Sequence, residues 1–143
     1  MPLESLPCEY LFTLTADTTS VPSVTIAEGP QGTRVVATVS GGTFEGPRLR
    51  GKVAHAAAGD WLTVRKDGSF RLDVRLVLET DDGATILMTY NGVGAFADDV
   101  ATLRTAPTFE TGDERYTWLN GVQAVGLGTT GPPGVTYEVY ALS

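Results

Sequence analysis

Four charged residues of this 143-residue chain, Asp60, Arg65, Asp73 and Arg75, have the types and spacing that acid–base chemistry needs. Asp73 and Arg75 stand two apart in the alternating run Arg71-Leu72-Asp73-Val74-Arg75-Leu76, so on a strand they share a face. If that face meets solvent, they form a surface pair worth about 0–1 kcal/mol. If it lines an interior, the guanidinium holds a carboxylate in low dielectric, where its pKa can shift to suit proton transfer. Periodicity leaves both open. Asp60 adds a carboxylate beside an indole in Gly59-Asp60-Trp61. Tyr90 shares an alternating face with Ile86 and Met88. Its phenol, with an ordinary pKa of about 10, could donate a proton or a hydrogen bond, or sit in the core with a satisfied hydroxyl.

His55 is the only histidine and Cys8 the only cysteine. Ordinary zinc sites take three or four nitrogen or sulfur ligands, so no metal site is expected. No Gly-x-Ser-x-Gly is present to form a nucleophile elbow. His55 reads as a structural strand residue or as a single acid or base. Cys8 has no disulfide partner and reads as a small core residue in an apolar stretch. The block from Gly41 to Val53 is dense in glycine but lacks the Gly-Lys-Ser/Thr of a phosphate loop. It reads as a tight turn and a bulge, with small residues that would also let a backbone approach a ligand closely. Residues Glu110 to Gly121 gather Arg115, Tyr116, Trp118 and Asn120. They read as a binding wall, or as Trp118 packed over a barrel mouth with Arg115 paired to Glu114 or Asp113.

Strands must position these groups. The chain has 17 Gly and 8 Pro, and it is rich in Thr and Val, which favours short strands and tight turns over helices. Alternation predicts strands near 8–16, 22–28, 33–40, 49–56, 61–66, 70–79, 85–92, 101–105, 121–128 and 135–142. Lys66-Asp67-Gly68 and Asp81-Asp82-Gly83 mark hairpins. Residues 93–120 are the least regular, with a loop or a short helical turn near Asp98-Asp99. No linker or repeat divides the chain, so residues 1–143 are expected to form one all-β domain, an antiparallel barrel or sandwich. Closing the sheet into a barrel removes its edges.

The net charge is −7, only two residues are Lys, and no basic stripe is visible. Nucleic acid and anionic membranes are therefore not expected as partners. No run of about 18 apolar residues is present, and Met1-Pro2-Leu3-Glu4 is unlike a secretory leader, so a cytoplasmic protein is expected. Apolar strand faces outside a barrel would ask for a homodimer.

Several segments, read in order, resemble the DUF3237 family, also called UPF0311. They are Gly41-Gly42-Thr43-Phe44-x-Gly46-Pro47-x-Leu49-x-Gly51, Gly59-Asp60-Trp61, Arg65-x-Asp67-Gly68, Leu72-Asp73-Val74-Arg75, Thr80-Asp81-Asp82-Gly83-Ala84-x-Ile86 and Arg115-Tyr116-x-Trp118-Leu119-Asn120. The resemblance covers most of the chain and implies a small antiparallel β-barrel similar to allene oxide cyclase barrels. The family's name records no function. One departure is His55-Ala56-Ala57-Ala58-Gly59, where the family usually shows a glycine-rich turn before Asp-Trp.

The expected function is a cofactor-free enzyme of isomerase, cyclase or lyase type. It would act by acid–base chemistry on a small, largely apolar molecule inside the barrel, where confinement selects the product and excludes water. Asp60 or Asp73 would be the base, and Arg75 or Arg65 would hold an enolate or carboxylate. Tyr90 would donate a hydrogen bond, and Trp61, Trp118, Asn120 and His55 would line the substrate. A barrel that only binds or carries a small molecule is the alternative, and a filled barrel would count against a ligand in the lumen of either kind and point to a structural or interaction protein. The discriminating feature is whether Asp73 and Arg75 face inward beside an open lumen.

Overall fold

The computed structural model describes residues 1–143. The strands in chain order are β1 (Cys8–Asp17), β2 (Val24–Gly29), β3 (Gly32–Thr38), β4 (Gly41–Glu45), β5 (Arg50–Val53), β6 (Gly59–Val64), β7 (Phe70–Thr80), β8 (Thr85–Ala97), β9 (Val100–Thr105), β10 (Thr108–Glu110), β11 (Ala124–Gly131) and β12 (Gly134–Leu142). One turn of 3-10 helix covers Thr117–Gly121. Every pairing is antiparallel, and the ladder β1–β4–β5–β7–β8–β9–β11–β12 returns to β1. These strands form a closed barrel. β7 holds two neighbours on one edge, β5 along Leu78–Thr80 and β6 along Phe70–Arg75. From β6 the ladder leaves the ring to β3 and then β2, a three-stranded flange whose last strand has a free edge.

Alternation sets the two faces of the wall. On β7, Phe70, Leu72, Val74, Leu76 and Leu78 are buried, whereas Arg71, Asp73 and Arg75 are exposed. Phe12, Leu14, Phe44, Leu76, Leu78, Ile86, Met88, Leu103 and Val139 fill the interior, none more than 2% exposed. A barrel of this size is just wide enough for its side chains to fill.

Glycines make that packing possible. Tyr137 on β12 pairs with Gly128 on β11, and a Cβ at Gly128 would lie 2.5 Å from the Tyr137 ring. Gly42 has φ +146°, and a Cβ there would strike the Thr15 carbonyl of the neighbouring strand. The segment expected as a turn is therefore strand β4, and the backbone it approaches is that of β1.

One end of the barrel is sealed. Leu119, in the 117–121 turn, is fully buried in the core. Arg115 clamps Asp113 with Nε at 3.0 Å and Nη2 at 2.8 Å, and its Nη1 donates to the Asp82 carbonyl at 2.9 Å. The Tyr116 hydroxyl donates to Asp82 Oδ2 at 2.7 Å. These charge-assisted bonds hold Asp113 down to about 2, mainly through Arg115.

Two local expectations are corrected. β8 runs on to Ala97 and turns tightly at Asp98, φ +59°, so the helical turn falls at 117–121 instead. Cys8 is exposed, because it opens β1 before that strand's face turns inward at Leu11. No helix is long and apolar enough to cross a membrane.

Candidate active site on the inner wall

Pairing places Asp60, Val74 and Tyr90 side by side on β6, β7 and β8. Val74 points into the barrel, so its cross-strand neighbours do too. Tyr137 meets Tyr90 inside the barrel, with ring centroids 5.4 Å apart at 70°. β6 and β7 leave Trp61 and Leu62 unpaired, and there the Asp60 side chain serves the ladder: its Oδ1 accepts the Asp73 backbone N–H at 3.0 Å.

Burial raises the Asp60 pKa from 3.8 to about 6; the Asp73 amide pulls it down in part, and the Asp73 charge adds to the rise. Burial also pushes the Tyr90 phenol well above its ordinary range, helped by Tyr137 and by the Asp60 charge. Burial and the Asp60 charge push the Tyr137 phenol up as well, while the Tyr90 hydroxyl pulls it back in part. Both phenols therefore stay neutral at ordinary pH, the form that can donate a hydrogen bond. Asp60 titrates close to neutrality, so it can both take up and return a proton.

The rim around this row is apolar. Leu62 and Val64 continue the Asp60 face of β6 and pack against the core, and Val35 and Ala37 of β3 pair with Leu62 and Asp60. The Phe70 and Phe96 rings lie 5.4 Å apart, with Phe96 62% exposed.

Asp73 and Arg75 do not belong to this site. The inward phase of β7 is taken by Leu72, Val74 and Leu76, which puts both charges on the outer face. They form no ion pair with each other there, and Asn91 Nδ2 reaches Asp73 Oδ1 at 3.5 Å. Core side chains fill the interior below the Asp60 row, so a ligand deep in an open lumen is ruled out for an enzyme and for a carrier alike, and any ligand of this row must reach it from the rim. Trp61 and Arg65 lie on the outer face as well. His55 is exposed on the turn between β5 and β6. Trp118 lies at the sealed end beneath the Arg48 guanidinium, 3.6 Å away. Asn120 pins that end by exchanging two 2.9 Å hydrogen bonds with the Thr111 backbone. Of the residues singled out from sequence, Asp60 and Tyr90 come together on the inner face, and Trp61, Arg65 and Asp73 on the outer. Tyr137 was missed; its signal is a large ring in an inward row opposite Gly126 and Gly128.

A small closed β-barrel with a carboxylate and two buried phenols side by side on its inner wall is the class these features define. The chain belongs to the DUF3237 family, a family of unknown function whose model matches residues 7–142. It is 33% identical over 119 residues to the hydroalkoxylation enzyme phnH of Penicillium herquei, covering 82% of this chain and 71% of that protein. It is 29% identical over 150 residues to a UPF0311 protein of Rhodopseudomonas palustris, covering 95% and 96% of the two. Among solved structures, a β-barrel-like protein of Acinetobacter baumannii superposes with TM-score 0.89 at 28% identity, over 99% of both chains. An enzyme from Penicillium herquei superposes with TM-score 0.78 at 25% identity, over 100% of this chain and 98% of the other.

Proposed function

We propose that this chain is an acid–base enzyme that adds a hydroxyl group across a conjugated carbon–carbon double bond of a small, largely apolar molecule. The observation that carries this reading is the row of Asp60, Tyr90 and Tyr137: a carboxylate titrating at about 6 against two neutral phenols. The likeness to a hydroalkoxylation enzyme supports the reaction class. The interior below is filled and Tyr90 and Tyr137 are only 4% and 3% exposed, so the substrate enters from the apolar rim and displaces rim side chains such as Phe96 to reach the phenols. Ionised Asp60 takes the proton of the substrate hydroxyl, and the oxygen attacks the alkene carbon remote from the carbonyl. Charge moves onto the carbonyl oxygen, where a phenol donates a hydrogen bond to the enolate. Protonated Asp60 then returns the proton to the enolate carbon. One C–O bond and one C–H bond form, the C=C π bond and the O–H bond break, and nothing is oxidised. All these steps use the chain's own side chains.

The test is a panel of aryl enones bearing a pendant hydroxyl, assayed for ring closure. The wild-type kcat/KM should rise as pH passes through about 6 and then level, as the base ionises. Asp60→Asn should lower kcat/KM by about 100-fold or more with its circular dichroism unchanged. Wild-type turnover by Asp60→Asn would refute the scheme. Binding of the panel without turnover by the wild-type protein would mark a carrier instead.

A further inference from the structure

The outer face of the same wall carries a second feature that the reaction does not use. Arg34 on β3 pairs with Thr63 on β6, which pairs with Arg71 on β7, so two arginines flank one threonine across three strands. With Trp61, Arg65, Asp73 and Asn91 they line a groove of about 340 Å³. Arg65 Nε donates to Ser69 Oγ at 3.0 Å. Arg34 and Arg71 are in none of the ion pairs of the chain, which join Arg48 to Glu9 and Arg115 to Asp82 and Asp113. Three guanidinium groups thus face one groove against a single carboxylate, Asp73, in a chain of net charge −7.

We propose that this groove binds a small aromatic carboxylate carrying a hydroxyl group. Like charges gathered on one face repel each other, and an anion between them relieves that repulsion. Planar guanidinium forks match a carboxylate in two-point contact. Trp61, 45% exposed, offers an indole for an aromatic ring. Asp73 and Asn91, paired across β7 and β8, supply an acceptor and an amide for a hydroxyl on that ring. The volume suits a single ring better than a polymer segment. This site lies on the opposite side of the sheet from Asp60 and stands independently of the proposed reaction.

The test is titration of the full chain with 4-hydroxybenzoate at low ionic strength, followed by NMR of the Trp61 indole N–H. A saturable shift is expected, weakened about tenfold or more in Arg34→Gln and in Arg71→Gln, and weakened by added salt. Both positions are exposed, so the variants should keep the wild-type melting temperature. The neutral 4-hydroxybenzamide should bind about tenfold more weakly. The proposal is overturned by an absent shift, by equal binding of the amide, or by unchanged affinity in both arginine variants. Tighter binding of inorganic phosphate than of 4-hydroxybenzoate overturns it in favour of a phosphate site.

Discussion

Asp60 is held in a state that costs stability, and this gives its role a thermodynamic signature. Its folded pKa of about 6 lies above the ordinary 3.8, chiefly through burial. The folded protein therefore binds more protons than the unfolded chain between these values. Stability associated with this group is fully present below about pH 4 and falls as pH rises through 6. The carboxylates of Asp82 and Asp113 are held low by hydrogen bonds and act with the opposite sign, losing stability as pH falls. The difference between wild type and Asp60→Asn isolates the one from the others. Urea denaturation should show Asp60→Asn more stable above pH 7 by about 2 kcal/mol, a figure reduced for the solvent that still reaches the carboxylate. The two proteins should converge near pH 4. A constant difference across that range would mean that Asp60 is not desolvated. The residue types at this site were legible, but their company was not. Asp73 and Arg75 form the more obvious pair in one dimension, while Asp60 meets Tyr137 only through strand pairings that close around the ring.

Strands rich in bulky alternating residues, such as β7, β8 and β12, declare both their existence and their faces, because one phase is apolar throughout. β4 did not, since its Gly41-Gly42 start looks like a turn; what selects glycine there is the closeness of β1. Glycines of these two kinds should respond differently to substitution. Gly68 has φ +86° but open space around it, so Gly68→Ala meets only backbone strain, about 1 kcal/mol. Gly128→Ala meets the Tyr137 ring and should cost about 1–3 kcal/mol through overpacking. It should also displace Tyr137 and reduce turnover, whereas Gly68→Ala leaves turnover intact. Equal melting temperatures and rates for the two variants would show that the Tyr137 ring has room to move.

The closed ring and the flange differ in what holds them, and that difference reaches the functional site. Every ring strand has paired neighbours on both sides, whereas β2 pairs only with β3 and is exposed along most of its length. Asp60 belongs to β6, the strand that joins flange to ring, and β6 is unpaired from β7 at Trp61 and Leu62. The arginine groove also spans this junction, with Arg34 on the flange and Arg71 on the ring. No linear reading could show a basic surface here, because Arg34 lies far along the chain from Arg65 and Arg71 and the net charge is negative. Segments with exposed backbone bonds and little buried apolar area open before the rest of the fold. Amide exchange should therefore proceed first in Val24–Gly29, next in β3, and only through global unfolding in β7, β8 and β12. Since 4-hydroxybenzoate would bridge Arg34 and Arg71, its binding should slow exchange in β3 while leaving β12 unchanged. Flange amides as protected as those of β7 would show that β2 and β3 open only with the ring.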